Sequence, residues 1–290
     1  MFRRTTKFAP LGTAALAILL ASTATPVLAQ WPAYPTANVP KTPDGKPDLN
    51  APVPRTAQGH PDLTGIWAVM RPPNGAGGPP GSTKKRKIVK PPPGTPPLAT
   101  FFDIGANMPN GLPLRPWAKK LKEKRMAAHD TANPDAHCLP LGYMQFHLHP
   151  QPRKMIQTPQ EIVIMYESNY GLRQIFTDGR SLPNNDPEPW WYGYSVGHWD
   201  GDTLVVKSSH FRDGGWLDVH GSPLTDKATI TERYRRLNFG HLQIDVTIDD
   251  PKAYTKPFTV RVNQRIMLNT NLIEFICNEN EQSSEYYIKQ

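Results

Sequence analysis

The reading of the fold turns on residues 231–248, TERYRRLNFGHLQIDVTI. Side chains alternate across a strand, and here apolar and polar residues alternate on both sides of an Asn-Phe-Gly turn, the pattern of two antiparallel strands joined tightly. Two registers are open. A two-residue loop at Phe239-Gly240 pairs Arg236 with Gln243, Tyr234 with Asp245 and Glu232 with Thr247. That puts Glu232, Tyr234 and Asp245 on one polar face. A three-residue loop, Asn238 to Gly240, shifts the pairing by one residue and redistributes every side chain between faces. If the polar face looks into a barrel, it lines a cavity; if it looks outward, it is solvated surface.

The same period continues outward from this hairpin. KMIQT, EIVIMYES, GLRQIFTD, YGYSVGHW, DTLVVKSS, ATITERYRRL, HLQIDVTI, PFTVRVNQRI and NLIEFICN are each read as strands, and DLTGIWAVM (62–70) supplies one more. Short polar turns separate most of them. About ten strands in sequence order predict an all-β fold, an antiparallel meander closing into a barrel or half-barrel. Asp200-Gly201 is a hairpin turn signal. It places Tyr194, Val196, His198, Thr203 and Val205 on one face and Gly197, Trp199, Leu204, Val206 and Ser208 on the other.

The amino-terminal part reads differently. Residues 30–116 hold 20 of the 33 prolines, which excludes continuous helix or strand and predicts an extended arm carrying the single strand 62–70. Arg115 to Asp130 is the one good helical pattern, expected to pack through Trp117 and Leu121. Residues 1–29 carry Arg3, Arg4 and Lys7, then a short apolar run, then Val27-Leu28-Ala29. That is the order of a secretory signal peptide cut after Ala29, and it predicts a periplasmic or secreted protein. The three expected regions are thus 1–29, 30–116 and 117–290. No later run approaches the length of a membrane span, so stable membrane insertion is not expected.

Loss of the leader's three basic residues lowers the net charge from +8 to +5. Much of the remainder lies in Lys84 to Lys87, a solvated loop without the interleaved aromatics of a nucleic-acid site, so no nucleic-acid partner is predicted. The two cysteines, Cys138 and Cys277, are predicted to form a disulfide in an oxidising compartment. The alternative, a catalytic Cys138 thiol beside His137, competes poorly with oxidation. His147 and His149 are spaced as a metal pair on a strand, but no third ligand is placed, so neither metal nor cofactor is assigned. There is no phosphate-binding loop, dinucleotide motif or nucleophile elbow.

Two resemblances attach to these residues. DLTGIW, with Gly65-Ile66-Trp67 on the first strand, resembles the G-x-W opening of lipocalins (calycins). The resemblance implies a Trp67 that closes the barrel floor under an arginine from a late strand, Arg261 or Arg265. PDLTGIW, CLPLG, IFTDGR, GYSVGHWDGDTLVV, FRDGGWLD, ITERYRR and GHLQIDVTIDDPKAYTKPFTV resemble a family of exported bacterial proteins of unassigned function. That resemblance implies export and a β-rich fold.

The candidate site residues follow from the face assignments. Trp216, Asp218 and His220 alternate after Gly214-Gly215, so Asp218 is placed to orient His220. With Glu232 and Tyr234 these are the acid–base candidates. Trp67, Tyr194, His198, Trp216 and Asp245 are the candidate ligand contacts. The first function read from this set is binding of a hydrophobic or aromatic small molecule in the lumen. The alternative is a cofactor-independent lyase, isomerase, hydratase or cyclase in the same cavity. A structural or interaction role in the cell envelope is the third.

Overall fold

The computed structural model describes residues 34–70, 94–185, 188–277 and 279. The leader-like residues 1–29 and the Lys84–Lys87 run lie outside the described residues. Nine strands close into a barrel: β1 (Gly65–Val69), β11 (Phe258–Met267), β10 (His241–Asp249), β9 (Thr229–Arg236), β6 (Thr203–Ser209), β5 (Tyr194–Asp200), β4 (Leu172–Phe176), β3 (Glu161–Tyr166) and β2 (Arg153–Gln157), which returns to β1. A separate ribbon pairs β7 (Gly215–Trp216) with β8 (Pro223–Leu224). The predicted meander holds except at one seam. β4 and β5 run parallel, joined only at Ile175–Ser195 and Phe176–Val196.

Residues 271–277 of the NLIEFICN segment form no strand. Closure of β1 onto both β2 and β11 leaves no free edge at these strands for the segment to join. Ile273 instead donates its amide to the Glu167 carboxylate at 3.0 Å.

Of the two registers open at the second hairpin the structure takes the three-residue loop, and the register of the first hairpin is corrected. At residues 236–242 the loop is Asn238–Gly240, so Leu242 faces Arg236, Ile244 faces Tyr234 and Val246 faces Glu232. Asp245 thereby moves to the outer face, opposite Arg233. At the first hairpin Asp200 pairs with Thr203 rather than lying in the turn, and Gly201 opens the turn at φ +57°, where a Cβ would be strained. This slip is by an even step, so the grouping of Gly197, Trp199, Leu204, Val206 and Ser208 on one face survives it.

The helix α1 spans Pro116–Ala127, shorter than the pattern suggested, with Pro116 at its first turn. It does not pack through Trp117, which is 43% exposed and donates its indole N–H to the Lys252 carbonyl. Ala118 and Lys122 form the buried stripe, because the small alanine lets the helix approach closely and Lys122 finds Asp103 at 3.0 Å. The proline-rich arm is ordered where it meets the barrel. Ala51 and Leu49 carbonyls accept the amides of Phe239 and Gly240, which ties the arm to the β9–β10 turn.

Residues 139–149 carry the feature that decides the interior. The chain passes Gly142, where a Cβ would lie 2.4 Å from the Trp216 carbonyl oxygen, so only glycine fits. Tyr143 and Met144 donate amides to Trp216 and Leu217. The short helix α2 (Gln145–Leu148) follows, with all four residues buried. This segment is a plug against which the inward faces of β4, β6 and β9 pack. Cys138 stands at its start, disulfide-bonded to Cys277 with a Cα–Cα distance of 5.5 Å. Replacing both cysteines by alanine is expected to lower stability by roughly 2–5 kcal/mol, given the long loop closed. Urea denaturation of the double variant against the oxidised wild type measures it, and an unchanged midpoint contradicts this role.

Candidate functional site

Glu232, on the inward face of β9 between Ile230 and Tyr234, is fully buried. Its carboxylate is the centre of a network. Tyr143 donates to Oε2 at 2.9 Å, His147 Nε2–H to Oε1 at 2.7 Å and Tyr234 to Oε1 at 3.0 Å. Arg173 from β4 grips both oxygens, through Nη1 at 3.1 Å and through Nη2. Arg173 also reaches Ser208 at 3.0 Å and Ser195 at 3.2 Å, and these two hydroxyls bond each other at 2.8 Å. A buried charge is tolerable only when paired and hydrogen-bonded, and this pair satisfies both conditions. Burial opposes ionisation of Glu232. The Arg173 guanidinium and the bond from His147 outweigh it and hold the carboxyl well below its ordinary range.

His147 lies under the opposite pull. Burial lowers its pKa, against the raising effect of Glu232. A neutral imidazole that gives its Nε2–H to an ionised carboxylate has a bare lone pair on Nδ1. That atom is buried and has no hydrogen-bond partner. Arg153, inward on β2 and fully buried, donates Nη1 to the His147 carbonyl at 2.7 Å. Its Nε and Nη2, and both amide atoms of Gln264 on β11, are also unpartnered.

The structure brings together two of the sequence candidates, Glu232 and Tyr234, and separates the others. Asp218 does not orient His220. Its buried carboxylate accepts the amides of Ile104 and Ser222, both at 3.0 Å, and the Ser222 hydroxyl at 2.7 Å. Burial raises its pKa against those bonds and the nearby Lys122. His220 turns instead to Asp130, with Nδ1 3.0 Å from Oδ2. Trp67 is buried and donates to the Leu63 carbonyl, and a guanidinium does lie over it at 5.0 Å. That arginine is Arg236 of β9. Arg261 faces outward and is bound to Asp245, which also holds Arg235, so Asp245 lines no lumen. Arg265 is exposed. Trp216 sits under Arg125, 4.3 Å from guanidinium to ring, and His198 is exposed on the outer wall. Tyr194 also faces outward, in contact with Phe176 and Trp190. His147 and His149 lie at the end of α2, not on a strand, so their spacing does not set them side by side. His149 packs edge-on to Phe101.

The central positions therefore come from Arg173, His147, Tyr143 and Arg153, which the sequence reading did not join to Glu232. One signal was present. Arg173 shares the parity of Ile175, and Arg153 that of Met155, so each charge sat in phase with the buried apolar residues of its strand.

A hollow lies on the flank of the barrel, bordered in part by Arg173 of the same network. Where β4 and β5 part beyond their two paired residues, a half-open cavity of about 310 Å³ remains. Gly171–Gln174 form one side and Trp190–Gly193 the other, with Pro140 and Asn169 completing the lining. No family model, curated protein or solved structure matches this chain.

Glu232→Gln is expected to cost about 3–5 kcal/mol, because it leaves Arg173 buried without a counter-charge. The pH dependence has a defined sign. Glu232, with its folded pKa depressed, contributes stability above about pH 4.3 that is lost as pH falls. His147, lowered from 6.5, contributes stability above that pH that is lost on acidification from there. The wild-type urea midpoint should fall steadily from pH 7 to pH 4, with the upper part of the fall missing in His147→Gln. Equal slopes in the two proteins would refute the buried neutral imidazole.

Proposed function

We propose that this chain is an exported barrel that binds a small molecule with a flat aromatic or apolar body, in the flank cleft between β4 and β5. The cleft's size carries the reading: about 310 Å³ lies in the range of sites for small organic ligands. Its walls suit such a guest. Trp190 is 44% and Leu172 56% exposed, beside Trp191 and the phenol of Tyr192. Aromatic faces of this kind supply large contact area at low entropic cost. The disulfide and the leader-like first 29 residues support export. Among the described residues, no helix is long and apolar enough to cross a membrane.

The test is a titration with 1-aminoanthracene followed by fluorescence, with mass spectrometry of molecules that co-purify. Trp190→Ala should weaken binding by about tenfold or more, the scale of an anchor residue. It should leave the unfolding free energy within about 0.5 kcal/mol of wild type, because Trp190 is exposed. Undiminished binding in this variant would move the site elsewhere.

A second reading, acid–base catalysis, rests on a different observation. Glu232 fixes the His147 tautomer and leaves Nδ1 as a free base. Turnover by this route should disappear in both His147→Gln and Glu232→Gln.

A further inference from the structure

Arg153 presents a charge that the fold has not answered. It is fully buried on the inner face of β2, between Trp67 of β1 and Tyr166 of β3 in the ladder. Glu232, the carboxylate on the inner face of β9, is already held at both oxygens by Arg173. Arg153 makes no ion pair among the described residues. Burial raises the pKa of both Tyr166 and Tyr234, which keeps the phenols neutral. Burial, then the charge of Arg153 itself, pulls the pKa of His149 down to about 4.

The unanswered part of the guanidinium has a specific shape. Nη1 is committed to the His147 carbonyl at 2.7 Å. The atoms without partners are Nε and Nη2. These two N–H groups point the same way along one side of the planar fork. They form the edge that meets the two oxygens of a carboxylate in parallel hydrogen bonds. His147 Nδ1 and the Gln264 amide, also buried and unpartnered, are further inward groups able to bond a polar guest.

We propose that the free edge of Arg153 is an anion site inside the barrel that takes the carboxylate of a small organic acid. The site uses none of the residues lining the flank cleft, so neither reading stands on the other. It also gives the plug a second duty: the residue whose carbonyl holds Nη1 is His147, so the same turn that packs against Glu232 orients the fork.

The experiment uses the full chain. Wild-type protein is unfolded in guanidinium, and the released small molecules are identified by mass spectrometry. In parallel, thermal unfolding is followed during titration with sodium acetate, against sodium chloride at equal ionic strength. We expect either about one equivalent of a carboxylic acid released per chain or, from a vacant site, a saturable rise in Tm with acetate that exceeds the rise with chloride. Arg153→Met, which removes the fork and keeps the volume, should show neither while retaining the wild-type far-ultraviolet spectrum. If that variant does not fold, Arg153→Lys keeps the charge without the fork and should weaken the acetate response about tenfold. The proposal is overturned if wild type shows neither release nor response, if chloride acts as strongly as acetate, or if the folded Arg153 variant responds like wild type.

Discussion

The ion pair between Arg173 and Glu232 is the constraint on which the interior depends. Each alone would be a charge in an apolar barrel, a cost that no packing offsets. Together they impose geometry on four elements. β4 must present Arg173 and β9 must present Glu232 to the same point, and β5 and β6 must bring Ser195 and Ser208 beneath the guanidinium. The plug must deliver Tyr143 and His147 to the remaining lone pairs of the carboxylate. A slip of one residue on any of these strands would turn its polar group outward and strand the others. Such a network specifies one register where apolar side chains alone would tolerate several.

The plug follows from the same requirement. A nine-stranded barrel lined only by its own strands would leave a space at its centre, and the Gly142–Leu148 segment brings aromatic rings as well as polar groups to the inner face. Phe146 packs against Tyr143, Tyr166 and Tyr192, which links the central network to the flank near the β4–β5 seam. That seam is the weak line of the barrel: its strands are parallel and paired at two positions only. The inner face of this barrel therefore carries polar groups held by the plug, and a hollow of about 310 Å³ opens in its side. The sequence reading placed the guest in the lumen because it had no means of seeing that a loop returns through it.

Parts of this were legible. Glu232 and Tyr234 stood out because one face of a long strand pair was polar, with lumen and solvent both open, and they face inward in phase with Ile230. Asp245 was assigned with them only through the two-residue loop; the three-residue loop sent it to the outer wall. Asp218 and His220 alternate in sequence, but their ribbon is two residues long, so the alternation says nothing of their contacts. Each found a partner far away, Asp218 at Ile104 and His220 at Asp130. Arg173 and Arg153 could have been placed inward by parity, yet their partners could not be named, since an ion pair 59 residues apart leaves no local trace.

By itself the amino-acid order determined the period-two strands, their number to within one or two, the single long helix and the disulfide. These rest on local backbone preference and on side-chain chemistry that acts wherever the cysteines meet. Tertiary structure alone decided which face became the lumen, which carboxylate was answered by which arginine, and that residues 142–148 pack against the inner face. Those outcomes depend on closure, because only when β1 pairs with both β2 and β11 does the sheet acquire an inside in which unpaired charge is forbidden.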